Sequence, residues 1–158
     1  MAKNHPRSAA RIRAFQVLYS LQFSPVATVE ELKALAERLP DDTTGDLSAA
    51  KYDPDFAWDL IEGVWSCETA LDEAIASFSH NWRKDRLGKV ELTLLRLAFY
   101  ELEHHPDVPS KVVISESLDL AARFANDQAR HFINGILDAA ARARDAGTGN
   151  AHPSVSLR

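Results

Sequence analysis

Apolar residues recur at helical spacing along most of this chain, and no stretch shows a convincing strand alternation. Ala10, Ala14, Val17, Leu18 and Leu21 predict a first amphipathic helix, stopped near Ser24-Pro25. Thr28-Val29-Glu30-Glu31 has the form of a capping box, with Glu31 placed to reach back to the Thr28 backbone. It opens a short second helix ending near Leu39-Pro40, and the polar, small residues 40–52 predict a loop. Asp53-Pro54 pairs an acidic N-cap with proline at the first helical position. From there Ala57, Leu60, Ile61, Val64, Leu71, Ile75 and Phe78 predict one long helix reaching about Ser79. HNWRKDRLG holds at most a short turn of helix. KVELTLLRLAFYELEHH follows, apolar nearly all round, as expected of a helix at the centre of a bundle. Pro106 and Pro109 bound the next turn. Ile114, Leu118, Ala121 and Ala122 stripe a sixth helix, and Asn126 or Asp127 caps a seventh. No repeat emerges at solenoid periods. The predicted fold class is all-α.

The seventh helix carries an oddity, HFINGILD. Asn134-Gly135 has the composition of a turn, yet Ala129, Ile133, Ile136, Leu137 and Ala140 fall on one face of a helix running through it. A mid-helix glycine costs roughly 1 kcal/mol relative to alanine. A packing explanation is that Gly135 lets another helix approach closely, with Asn134 hydrogen-bonding across the contact. Phe132 lies about 100° off the apolar face, near the helix N-terminus where free N–H groups favour anions, with Arg130 and His131 beside it.

Composition narrows the class. With 158 residues, 46% hydrophobic and 26% charged, the chain suits one domain, or two small subdomains sharing a core. No N-terminal apolar segment suggests a signal peptide, and Arg96 interrupts the most hydrophobic run, so no membrane span is expected. The lone Cys67 cannot form an intrachain disulfide, which fits a reducing cytoplasm. Net charge is −5, but Lys3, Arg7, Arg11 and Arg13 precede the first acidic residue, Glu30, so residues 1–29 carry +4 and the rest −9. Such asymmetry suggests a basic arm that meets a polyanion, on an acidic body.

Catalytic signals are lacking. His104 and His105 are adjacent and point about 100° apart on a helix, unlike an i, i+4 metal pair. His5, His80, His131 and His152 match no ligand spacing, and there is no phosphate-cradling glycine loop, nucleophile elbow or second cysteine. Glu101, inside the most apolar helix, calls for a structural partner. No enzyme, cofactor or metal is expected. The first helix says more. Arg11, Phe15 and Tyr19 recur every four residues, offering a guanidinium for phosphate beside aromatic surface for a base, as in single-stranded RNA recognition. The alternative is that Phe15 and Tyr19 extend the core and Arg11 is solvated, a reading that suits Phe15 better than RNA contact and suits Tyr19 equally well.

Taken in order, AARIRAFQVLYSLQ, KVELTLLRLAFYELEHHPDVPSKVVISESLDLAARF and HFINGILD resemble the transcription antitermination factor NusB family across residues 7–138. The resemblance implies a seven-helix fold of two packed helical subdomains within residues 1–145, divided into about 7–79 and 80–145, with a disordered tail over 146–158. It implies a non-enzymatic role, in which the chain pairs with the ribosomal protein NusE and holds the single-stranded boxA element of nascent ribosomal RNA. The RNA is thereby tethered to elongating RNA polymerase and premature termination is suppressed. Mapped onto this sequence, the RNA side comprises Arg7, Arg11, Gln16, Arg130 and Phe132. The NusE side comprises Tyr19 and Glu91, with Arg86, Leu87 and Val90 nearby. The pattern departs at two places. Ser8, Ala9 and Ala10 interrupt the family's arginine run, and Gln128-Ala129 stands where members commonly place an Asp-Ser pair. Two other readings keep the fold. One is a pure protein-interaction module, or a homodimer that buries the basic helix when RNA is absent. The other is the N-terminal domain of a ribosomal RNA cytosine methyltransferase, which needs a C-terminal cofactor domain. An end about twenty residues after HFINGILD argues against that domain.

Overall fold

The computed structural model describes residues 5–39, 52–79 and 87–147. Among them are seven α-helices and no strand: α1 (Pro6–Leu21), α2 (Val29–Arg38), α3 (Pro54–Ser66), α4 (Glu68–Ala76), α5 (Lys89–His104), α6 (Ser110–Phe124) and α7 (Asp127–Ala146). Most of the expected loop at 40–52, most of the turn in HNWRKDRLG and the tail from 148 onward lie outside the described residues. The expected disordered tail would begin at 146, but α7 includes that residue.

Local signals set most of the boundaries. The α1 helix begins earlier than its apolar stripe, because Pro6 occupies its first turn and the His5 ring accepts the Arg7 N–H at 3.1 Å. In α2, Thr28 Oγ1 accepts the Glu31 N–H at 3.1 Å, while Glu31 Oε1 accepts N–H groups from Ala27 and Thr28. Asp53 Oδ1 accepts from Asp55 and Phe56 to start α3, and Asn126 Oδ1 accepts from Ala129 at 2.8 Å to start α7.

The long helix expected from 53 to 79 is broken. Cys67 has φ −109° and ψ 16°, off the helical region, and separates α3 from α4. Just before it, the Ser66 hydroxyl donates to the carbonyls of Glu62 and Gly63, the kind of local bond that disturbs a helical ladder. The chain also divides into two compact units here, Met1–Ser66 and Cys67–Arg158, rather than near residue 79.

In the first unit α1 packs on α3, burying Ala10, Ala14, Val17 and Leu18 with Phe56, Ala57, Leu60, Ile61 and Val64. Arg13 is also buried. Its Nη2 donates to the carbonyls of Ala36 (2.5 Å) and Leu39 (2.6 Å), capping the end of α2.

In the second unit α5 is the central helix, packed by α4, α6 and α7 and buried without a break from Leu92 to Leu102. Arg96 within it is buried, its guanidinium bidentate to Asp72 of α4 at 2.8 and 2.9 Å, with Glu68 at 3.2 Å. Glu101 is buried in the same helix. The buried stripe of α6 is Val113, Ser117, Leu120 and Ala121. Ile114 and Leu118 are only half-buried and Ala122 is exposed, so the expected face is rotated. Ser117 is accommodated because its hydroxyl donates to the Val113 carbonyl at 2.8 Å. Arg144 ties the α5–α6 turn to α7, donating to Ser110 Oγ and to the carbonyls of His105 and Val108. Burial raises the Glu103 carboxyl above its ordinary pKa, and the Arg144 charge partly offsets this.

Candidate nucleic-acid interface

The basic edge of the first unit is a guanidinium–aromatic stack. The Arg7 guanidinium lies 4.3 Å from the centroid of the Phe56 ring and that of Arg11 lies 5.1 Å away, both within cation–π range. A backbone bond from the Asp53 N–H to the Pro6 carbonyl, 3.2 Å, fastens the start of α3 to the start of α1 and holds the ring there. Arg7 is half-buried, whereas Arg11 is only 6% exposed. Of the two expected RNA arginines on α1, Arg7 is therefore the more accessible to solvent. Gln16 is half-buried and lies nine residues from Arg7, about 180° round the helix. The structure does not bring these two together.

The aromatic repeat of α1 runs further than its first two members. Phe15 is buried and stacks on Tyr19, with centroids 5.6 Å apart and planes 12° apart. Tyr19, half-buried, meets Phe23 edge-on at 5.2 Å, and Phe23 is 59% exposed. The ladder thus leads from the core to solvent. Phe23 was missed in the sequence, although it continues the same i, i+4 spacing past the end of the helix.

In the second unit, α7 buries Ala129, Ile133, Ile136, Leu137, Ala140 and Ala141. Arg130, His131 and Phe132 are exposed together at its N-terminal end. The Arg130 Nε points to the Leu118 carbonyl of α6 at 3.4 Å. Gly135 is exposed and a Cβ there would meet nothing within 4 Å, so among the described residues the packing explanation for HFINGILD fails: none of the other described helices approaches it closely.

Of the expected NusE-side residues, Leu87, Val90 and Glu91 are half-buried about the start of α5, and Arg86 lies outside the described residues. The Glu91 carboxylate folds back over Gly88, the N-cap of α5, in the space a side chain at 88 would occupy. Among the described residues no group of three His, Cys, Asp or Glu side chains could hold a metal ion, and no helix is long and apolar enough to cross a membrane.

Comparison with known proteins gives this geometry its context. The family model described as NusB family matches residues 8–142. The transcription antitermination protein NusB of Oleidesulfovibrio alaskensis is 49% identical over 145 residues, spanning 92% of this chain and 93% of that protein. The solved T. maritima NusB is 30% identical with a TM-score of 0.71, over 87% of this chain and 91% of its own. A chain from the crystal structure of antitermination factors NusB and NusE in complex with dsRNA is 26% identical, with a TM-score of 0.68 over 90% of this chain and 99% of that one. Matched along most of its length by family model, relatives and fold, the chain belongs to the NusB family.

Proposed function

We propose that this protein is a non-catalytic, cytoplasmic transcription antitermination factor that binds the boxA element of nascent ribosomal RNA together with the ribosomal protein NusE. The observation that carries the reading is the likeness, over 90% of the chain, to a chain from a NusB–NusE–RNA complex. The RNA-side residues are Arg7, Arg11, Gln16, Arg130 and Phe132. Arg7 contacts phosphate, Arg11 braces the same Phe56 ring, and Phe132 supplies a stacking face for one base, with Arg130 fixing the backbone. Tyr19, Arg86, Leu87, Val90 and Glu91 form the NusE side. The joint complex holds the transcript near RNA polymerase as elongation proceeds.

Fluorescence anisotropy tests this with single-stranded boxA RNA, a scrambled strand and a duplex, with and without NusE, over a salt series. Selective binding to boxA, strengthened by NusE and weakened by salt, is expected. Phe132→Ala should cost about 1–3 kcal/mol of that affinity, the worth of one stacked base. Equal, weak binding to every RNA regardless of NusE would overturn the reading in favour of a protein-interaction module.

A further inference from the structure

Two guanidinium groups share one buried ring. Phe56 of α3 is 4% exposed, in the core where α1 and α3 pack. The guanidinium carbons of Arg7 and Arg11 lie 4.3 and 5.1 Å from its centroid. The two arginines stand one turn apart on α1, so both side chains reach the same ring. Asp53 joins the backbones that carry ring and charge. Its N–H donates to the Pro6 carbonyl at 3.2 Å, and its Oδ1 accepts the Phe56 N–H at 3.1 Å. Burial leaves no face of Phe56 for a base, so any effect of the ring on a nucleic acid passes through a guanidinium. Arg7, half-buried, is the more exposed of the pair. A guanidinium over an aromatic face is held by its charge, and its N–H groups can still bond a phosphate. An arginine that is loose in solution loses rotamer freedom when it grips a phosphate, whereas one seated on a ring has lost much of it beforehand.

We infer that Phe56 is a positioning residue for RNA: its buried ring seats the Arg7 guanidinium, so that this side chain meets an RNA phosphate already ordered. The inference rests on the RNA-binding reading above and deepens it. It adds a residue of α3 that acts on RNA without touching it.

The charge of the ring face can be tested apart from its bulk. Mono-, di- and trifluorophenylalanine installed at position 56 draw electron density from the face with little change of shape. BoxA affinity is measured with NusE present, and thermal melting of the same samples confirms that each is folded at the temperature of the titration. Affinity should fall stepwise with fluorine number, reaching a loss of about threefold to tenfold, the worth of ordering one long side chain. In an Arg7→Ala background the same series should be flat, since ring and guanidinium act as one unit. Unchanged affinity across the series, with Arg7→Ala still weakening binding, would overturn the inference while leaving RNA binding intact. An equal fall in both backgrounds would also overturn it, because the ring would then act through Arg11 or through the fold. So would wild-type affinity in Arg7→Ala itself, which leaves no contact to position. Absence of selective boxA binding by the wild-type protein would remove the RNA reading itself, and this inference with it.

Discussion

Arg96 shows how a single charged residue can sit in the most apolar helix of a fold. Its guanidinium is satisfied by the Asp72 carboxylate at two points and by Glu68 at a third, so α5 is pinned to α4 by directed bonds as well as by packing. Removing one partner of such a buried pair leaves the other charge desolvated. Asp72→Ala should therefore destabilise the protein by about 3–5 kcal/mol, measured by urea unfolding. The exposed i, i+4 pair of Arg142 and Asp138 offers a contrast, since its loss should cost no more than about 0.5 kcal/mol. In the sequence Arg96 reads as an interruption of a hydrophobic run. Its partner was not legible, because Asp72 lies on a different helix and the pairing is tertiary. Arg13 makes the same point: it reads as part of a basic arm, yet its guanidinium is engaged by the last carbonyls of α2.

At the scale of helices, what the sequence conveyed was mostly what is local. Thr28, Asp53 and Asn126 each mark a helix start within four residues, and all three hold in the structure. Asn126 bears most on the proposed RNA side, because it caps the first turn of the helix that presents Arg130 and Phe132. Asn126→Ala should lower stability by about 1 kcal/mol, read from chemical denaturation, and amide exchange should quicken in the first turn of α7 ahead of the rest of the helix. Uniform exchange along α7 would show that the cap does not govern this end. The break at Cys67 was not legible, because the apolar period of α3 continues into α4 without change. Nor was the face of α6: apolar residues occur on two of its sides, and the packing of α5 and α7 selects Val113, Leu120 and Ala121 over Ile114 and Leu118.

Over the whole molecule, charge and fold act together on binding. The first 29 residues carry +4 on a chain of net −5, so that segment attracts an anionic strand while the acidic remainder of the sequence repels it. The structure divides those charges by role. The Arg13 guanidinium is taken up by backbone carbonyls and Arg11 is buried beside Phe56, while Arg7 keeps partial access to solvent. A count of arginines therefore overstates the phosphate contacts that α1 can make. Arg7→Ala should flatten the dependence of log K on log salt by about 0.7 for single-stranded boxA, the contribution of one neutralised phosphate. Arg13→Ala should leave that slope unchanged and instead cost about 1–3 kcal/mol of stability, since two carbonyls of α2 lose their donor. Anisotropy titrations at four or more salt concentrations, beside urea melts of the same variants, separate the two effects. An unchanged slope for Arg7→Ala would move the phosphate contact away from the Phe56 stack and toward Arg130 on α7.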